Sequence, residues 1–187
     1  MLDAWVDDVG LKPGGALLEI GCGPGVFSRQ LAQRSLQVMG IDYSNAMMVA
    51  ARKLESANVN LAFMQGDASR LPCPDNHFDY VIASSLINIV DNPARALQEM
   101  RRVTAPFGTL SVLVPSVAMT IDAADRYVRE NKLRGFAKSA LRTWAAMAPK
   151  MSTERLEILF ERARLTMPVI RSQLDGMVLT ATLRKVF

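Results

Sequence analysis

The chain is poor in the residues from which metal centres and nucleophilic triads are built. It has one histidine, His77, and two cysteines, Cys22 and Cys73, with no metal-ligand spacing between them. A zinc site or a His-based triad has almost nothing to be made from, and two thiols make no disulfide framework. No Gly-Lys-Ser/Thr triplet follows a glycine-rich turn, so a P-loop is absent. No stretch approaches the ~18 uninterrupted apolar residues of a membrane span. At the N-terminus Asp7-Asp8 interrupts the apolar residues and no basic lead precedes them, unlike a signal peptide. These absences set the expectation of a soluble, cytoplasmic protein with no metal.

What the chain does have is apolar bulk, since 50% of its 187 residues are hydrophobic. That suffices for one domain, residues 1–187, with a sizeable core. Charge is unevenly placed. Residues 1–115 carry 9 basic and 11 acidic side chains, a net of −2, while residues 116–187 carry 13 and 7, a net of +6. Such asymmetry can mark a partner surface or a solvated face.

One stretch organises the rest: Leu17-Leu18-Glu19-Ile20-Gly21-Cys22-Gly23-Pro24-Gly25. An apolar run ends in an acid, three glycines follow at alternate positions, and Val26 to Leu31 reads as the start of a helix. A strand, a glycine turn and a helix in that order let a ligand meet bare backbone beside unpaired N–H groups. The dinucleotide fingerprint Gly-x-Gly-x-x-Gly would need its third glycine at position 26; Val26 stands there, and Gly25 arrives one residue early.

Further strands are expected at 38–41, 60–65, 78–83 and 109–114, separated by helices, the pattern of βαβ units around a parallel sheet. Ser44 caps a helix through Met47, Met48, Ala51 and Leu54, and Asn92-Pro93 opens another. From Pro115 the pattern changes to two helices, 118–132 and 133–148, around Gly135. A further helix at 152–165 precedes a hairpin of strands 166–173 and 177–186 joined by Leu174-Asp175-Gly176.

Asp42 ends the second strand and Asp67 the third, and ligands of open α/β sheets lie outside such strand ends. A carboxylate at the first position can accept from both hydroxyls of a ribose. At the second, it can accept from an exocyclic amine while the N–H of Ala68 donates to a ring nitrogen, which reads adenine.

Leu18 to Gly25, Gly40-Ile41-Asp42-Tyr43-Ser44, and Gly66-Asp67-Ala68 followed by Leu71-Pro72 and Phe78-Asp79 resemble class I S-adenosylmethionine-dependent methyltransferases. The likeness is closest to the small-molecule group of ubiquinone and menaquinone biosynthesis, the methyltransferase type 11 domain. It covers about residues 10–115, and the stretch 95–103 looks like that family's helix before the fifth strand.

The resemblance implies a doubly wound, seven-stranded α/β/α sheet, mostly parallel with its last strand antiparallel, and a helical cap after strand five. It divides the chain into a cofactor-binding core (1–115), a cap and substrate region (116–150), and a final helix with hairpin (151–187). It implies S-adenosylmethionine as cofactor, with Glu19, Gly21, Cys22, Gly23 and Gly25 around the methionine moiety. Asp42 would hold the ribose, Tyr43 and Met47 would flank the adenine, Asp67 and Ala68 would read its edge, and Ser84 would line the reactive end. Asn88, Met119 and Tyr127 are the candidate contacts to a small-molecule acceptor, and no catalytic residue is assigned.

Departures from the family concern activity. Relatives often carry a histidine pair where this chain has Asn88-Ile89, and Pro-Gly-Gly where it has Pro106-Phe107-Gly108. They usually place one or two helices before the first strand, whereas sixteen residues precede Leu17, so a more open site or an absent segment is expected. These departures support a second expectation, a cofactor-binding regulatory or partner subunit with little turnover. A nicotinamide oxidoreductase ranks third, against the Gly25 spacing. A basic face within 118–148 could rest peripherally on anionic lipid. Nucleic acid is not expected, because no basic stripe interleaves with aromatics.

Overall fold

A computed structural model describes residues 3–34, 36–53 and 60–186. Its strands are β1 (Ala16–Ile20), β2 (Gln37–Asp42), β3 (Leu61–Gln65), β4 (Phe78–Ser84), β5 (Thr104–Pro115), β6 (Val169–Gln173) and β7 (Val178–Arg184). They form one seven-stranded sheet in the order β3-β2-β1-β4-β5-β7-β6. Pairs from β3 through β5 are parallel, and β7 runs antiparallel to both its neighbours. This is the architecture expected from the sequence. The chain builds outward from β1 to β3 and then returns to β4, so the winding reverses between β1 and β4.

The helices are α1 (Asp3–Val9), α2 (Val26–Ala32), α3 (Asn45–Lys53), α4 (Pro93–Val103), α5 (Ile121–Glu130), α6 (Gly135–Met147) and α7 (Thr153–Arg162). Alternation along β1 sorts the two faces. Leu18 and Ile20 join a core with Leu97 and Met100 of α4 and Leu156 and Phe160 of α7. Leu17 faces the other way, into a core with Trp5 of α1, Leu31 of α2, Val128 of α5 and Leu141 of α6. Leu17, Leu18 and Ile20 are at most 1% exposed, and such burial contributes roughly 1.5–3 kcal/mol per side chain. A smaller cluster of Cys22, Met48, Ala51 and Phe63 lies under α3.

Local chemistry sets the helix starts. The side-chain oxygens of Asn92, Thr120 and Ser152 accept the N–H groups of Arg95, Ala123 and Arg155, and Pro93 occupies a first-turn position that needs no donor. The Thr120 cap is why α5 begins later than the expected 118. Leu54, expected on α3, lies outside the described residues.

Several strand boundaries also differ from the sequence reading. β5 begins at Thr104, not 109, because the chain bulges between two stretches of ladder: Phe78 pairs with Thr104, and Tyr80 with Thr109. Phe107 in that bulge has a φ of 61°. β6 begins at Val169, after Pro168, which offers no N–H to a ladder. β7 begins at Val178 because the Met177 N–H closes the hairpin turn on the Leu174 carbonyl at 3.1 Å. It ends at Arg184, beyond which the Lys185 ammonium turns inward to the Arg101 and Thr104 carbonyls and the Asn76 amide oxygen.

No described helix is long and apolar enough to cross a membrane.

Candidate cofactor site

A cleft of about 560 Å³ opens at the carboxyl ends of β1, β2, β3 and β4, where the winding reverses. Its volume falls in the ordinary range for small-ligand sites. Its wall takes Ile20-Gly21 from β1 and Ile41 to Ser44 from β2. Gly66 to Ser69 follow β3, Ser84 to Leu86 end β4, and Ile89 to Asn92 lead into α4.

The glycine loop is held by its own N–H groups. Gly21 and Cys22 both donate to the Ile41 carbonyl, at 2.7 and 3.1 Å, and Gly25 donates to Cys22 at 3.0 Å. Gly25 has a φ of 75°, and a Cβ there would lie 2.3 Å from the Phe63 ring. Only glycine fits both the turn and that close approach. Gly21 reaches the cleft surface. The Cys22 side chain turns away into the cluster under α3, where burial pushes its thiol far above the usual range.

Glu19 lies behind the wall at 3% exposure. Ser28, in the first turn of α2, donates its hydroxyl to the Glu19 carboxylate. Burial nevertheless lifts the carboxyl to about 7; the Ser28 bonds oppose that rise and the nearby Asp42 adds to it. Ser28 was not singled out from the sequence. Its place in the helix turn following the glycines is the signal that could have found it.

Asp42 couples two segments. One oxygen accepts the Gly23 N–H and the other the Ser44 N–H, each at 2.9 Å, so one carboxylate fixes both the glycine loop and the start of α3. Tyr43 is 76% exposed beside it, and Met47 is half-exposed one turn later. Asp67 is exposed to the cleft. It accepts the Ser69 N–H at 2.8 Å, and these Ser69 bonds hold its carboxyl below the usual range. Ala68 next to it is buried.

On the β4 side, Ser84 lines the cleft. Its neighbours Ser85 and Leu86, and Val90, Asp91 and Ala96 beyond, carry no site signal in the sequence; Ile89 and Asn92, noted there as a family departure and a helix start, join them in the wall. Ser85 has a φ of 52° and accepts the Trp144 indole N–H at 3.0 Å, tying α6 to the rim. Asn88 is not among the described residues that form the wall. Its amide nitrogen donates to the Pro149 carbonyl at 3.1 Å, and its oxygen is buried with no partner among the described residues. Met119 and Tyr127, expected on the acceptor side, lie elsewhere. Met119 is fully buried in the core with Trp5 and Leu113, and Tyr127 packs against the same cluster. Both belong to the chain's turn onto the second face of the sheet.

Charge completes the site. Asp42, Asp67 and Asp91 line the cleft, and no Lys, Arg or His is among the described residues that form its wall. Such a surface suits a cationic ligand and disfavours phosphate, which calls for cations or open helix N-termini. No group of three or more His, Cys, Asp or Glu able to hold a metal occurs among the described residues.

The profile of a family described as "Methyltransferase domain" matches residues 18–112. The chain is 38% identical over 107 residues to a demethylmenaquinone methyltransferase of Renibacterium salmoninarum, covering 57% of this chain and 44% of that protein. It is 34% identical over 98 residues to a malonyl-[acyl-carrier protein] O-methyltransferase of Serratia marcescens, covering 52% and 37%. The chain thus spans less than half the length of these curated relatives. Among solved structures it superposes on an S-adenosylmethionine-dependent methyltransferase from Aquifex aeolicus with a TM-score of 0.72 and 18% identity, over 97% of this chain and 88% of that one. One from Mesorhizobium loti gives 0.70 and 19%, over 98% and 95%. At these identities the structures speak for the fold.

Proposed function

The chain belongs to the methyltransferase domain family, and on that premise we propose that it binds S-adenosylmethionine in the cleft and methylates a small organic acceptor. The observation that carries the reading is the cleft's charge: three carboxylates and no cation among the described residues of its wall, at the reversal of the winding. Bound there, the cofactor supplies an electrophilic methyl group on a sulfonium.

The chain's own residues bind and align. Asp42, already fixed by Gly23 and Ser44, presents its remaining lone pairs to the ribose hydroxyls. Asp67 and the backbone of Ala68 address the adenine edge, with Tyr43 and Met47 beside the ring. Gly21 brings bare backbone to the amino-acid end, and Glu19 behind it offers a carboxylate to an ammonium. Ser84 and Ser85 line the end from which the acceptor approaches, where Leu86, Ile89 and Val90 give an apolar wall that excludes water around the reacting atoms. Catalysis then rests on alignment. An acceptor that sheds its proton before reaching the cleft needs no side chain as base.

The names of the relatives suggest quinone-like or carboxylate acceptors, and the apolar wall favours the former class here. The cytoplasm is the proposed site of action, which suits the free thiols of Cys22 and Cys73. Isothermal titration with S-adenosylhomocysteine tests the reading. Micromolar binding is expected, and no heat of binding at millimolar ligand would overturn it.

A further inference from the structure

Three side chains outside the cleft converge on the loop that carries Asp67 and Ala68. Glu99, on α4, is 3% exposed although charged. One of its oxygens accepts the backbone N–H of Leu71 at 2.9 Å and an Arg102 nitrogen at 2.7 Å. The other accepts from Arg95 and Arg102, both at 3.0 Å. Arg95 also donates to the Ser69 carbonyl at 3.1 Å, and Arg102 to the carbonyls of Leu71 and Cys73 at 2.9 and 2.8 Å. Positions 95, 99 and 102 share one face of a helix.

Backbone groups of Ser69, Leu71 and Cys73 are therefore captured from α4, with Glu99 as the hub. The hub is charged: its carboxyl is held below the usual range, chiefly by Arg102. The loop's near end is pinned separately, by the Gly66 N–H on the Asp42 carbonyl at 3.1 Å. Between these anchors lie Asp67, Ala68 and Ser69, the stretch that faces the cleft. Hydrogen-bond discrimination between bases depends on the donors and acceptors holding their positions, because a buried polar group left unpaired is costly.

We infer that Glu99 is a positioning residue for base recognition: through Leu71 and Arg95 it holds the 67–69 stretch where it distinguishes adenine from other purines. This rests on the cofactor reading above. The arrangement differs from a purely structural tie because it acts on one edge of one ligand moiety. A ligand with the same ribose and amino-acid ends and a different base edge should be indifferent to it.

The test is titration of wild type, Glu99→Gln and Arg95→Ala with S-adenosylhomocysteine and with S-inosylhomocysteine, in which a ring carbonyl replaces the exocyclic amine. Wild type should prefer the adenine ligand at least tenfold. In Glu99→Gln, where the amide sets an N–H donor among existing donors, the preference should fall to within about threefold, mostly through weaker adenine binding. Arg95→Ala leaves the Glu99–Leu71 bond in place and should lower the preference less; because Arg95 is half-exposed, it keeps the inference testable if Glu99→Gln does not fold. Equal loss for both ligands, or an unchanged preference in both variants, would overturn the inference. Failure of wild type to bind either ligand would instead overturn the cofactor reading.

Discussion

Glu19 is a carboxyl that burial holds well above its ordinary range. Its folded pKa of about 7 stands above an ordinary 4.5, so the folded state binds its proton more tightly than the unfolded state. Stability should then fall as pH rises from about 4.5 to 7 and level off above that range, with a full cost of roughly 3 kcal/mol. Glu19→Gln removes the ionisation, so calorimetric melts should find it more stable than wild type at pH 8, by up to that amount, and similar at pH 4. Parallel stability profiles across that range would refute the assignment. Asp42 and Asp67 were legible from sequence because a strand end fixes where an acid stands, whichever way the later chain turns. Met119 and Tyr127 were not. Helical periodicity after Pro115 says which residues share a face, and only the fold says that this face packs on Trp5 and Leu113.

Among the elements, the β5 bulge carries an avoidable cost. Phe107 adopts a left-handed backbone with its side chain 64% exposed, so it strains the chain while packing little. Phe107→Gly should stabilise the protein by about 0.5–1 kcal/mol in urea unfolding, and a loss of stability would show that the ring's remaining contacts outweigh the strain. On α6, the bond from Trp144 to Ser85 links the helix to the cleft rim. Trp144→Phe keeps an aromatic ring and loses the donor, with an expected cost of about 1 kcal/mol in the same assay; unchanged stability would mean the bond does not hold the helix. Existence and type of element were readable from periodicity and caps. The bulge was not, because its cause is the register of β5 against β4, which no local pattern encodes.

For the molecule as a whole, ligand and fold should be linked. The cleft draws on four strand ends and the approach to α4, so a ligand seated there ties together segments distant in sequence. S-adenosylhomocysteine at a hundred times its dissociation constant should add about 2.7 kcal/mol. A melting temperature raised by roughly 5–10 °C would register that gain, and no shift at saturation would mean that the ligand does not select the folded state. The parallel run of the sheet was legible because strands alternate with helices; the doubly wound, seven-stranded arrangement was implied by the family resemblance, and the strand order itself comes from the fold.

The position of β7 has a consequence for how the protein is made. β7 is drawn from residues 178–184, yet it lies inside the sheet, between β5 and β6. On a ribosome, β5 emerges well before β7 exists, and the edge that β7 will pair with stays open while α5, α6, α7 and β6 are translated. β6 cannot cover it, since β6 bonds to β7 and not to β5. An unpaired, largely apolar strand edge invites pairing with other chains. Chaperone demand during synthesis should therefore be set by the wait for the 178–184 stretch more than by the stability of the finished fold.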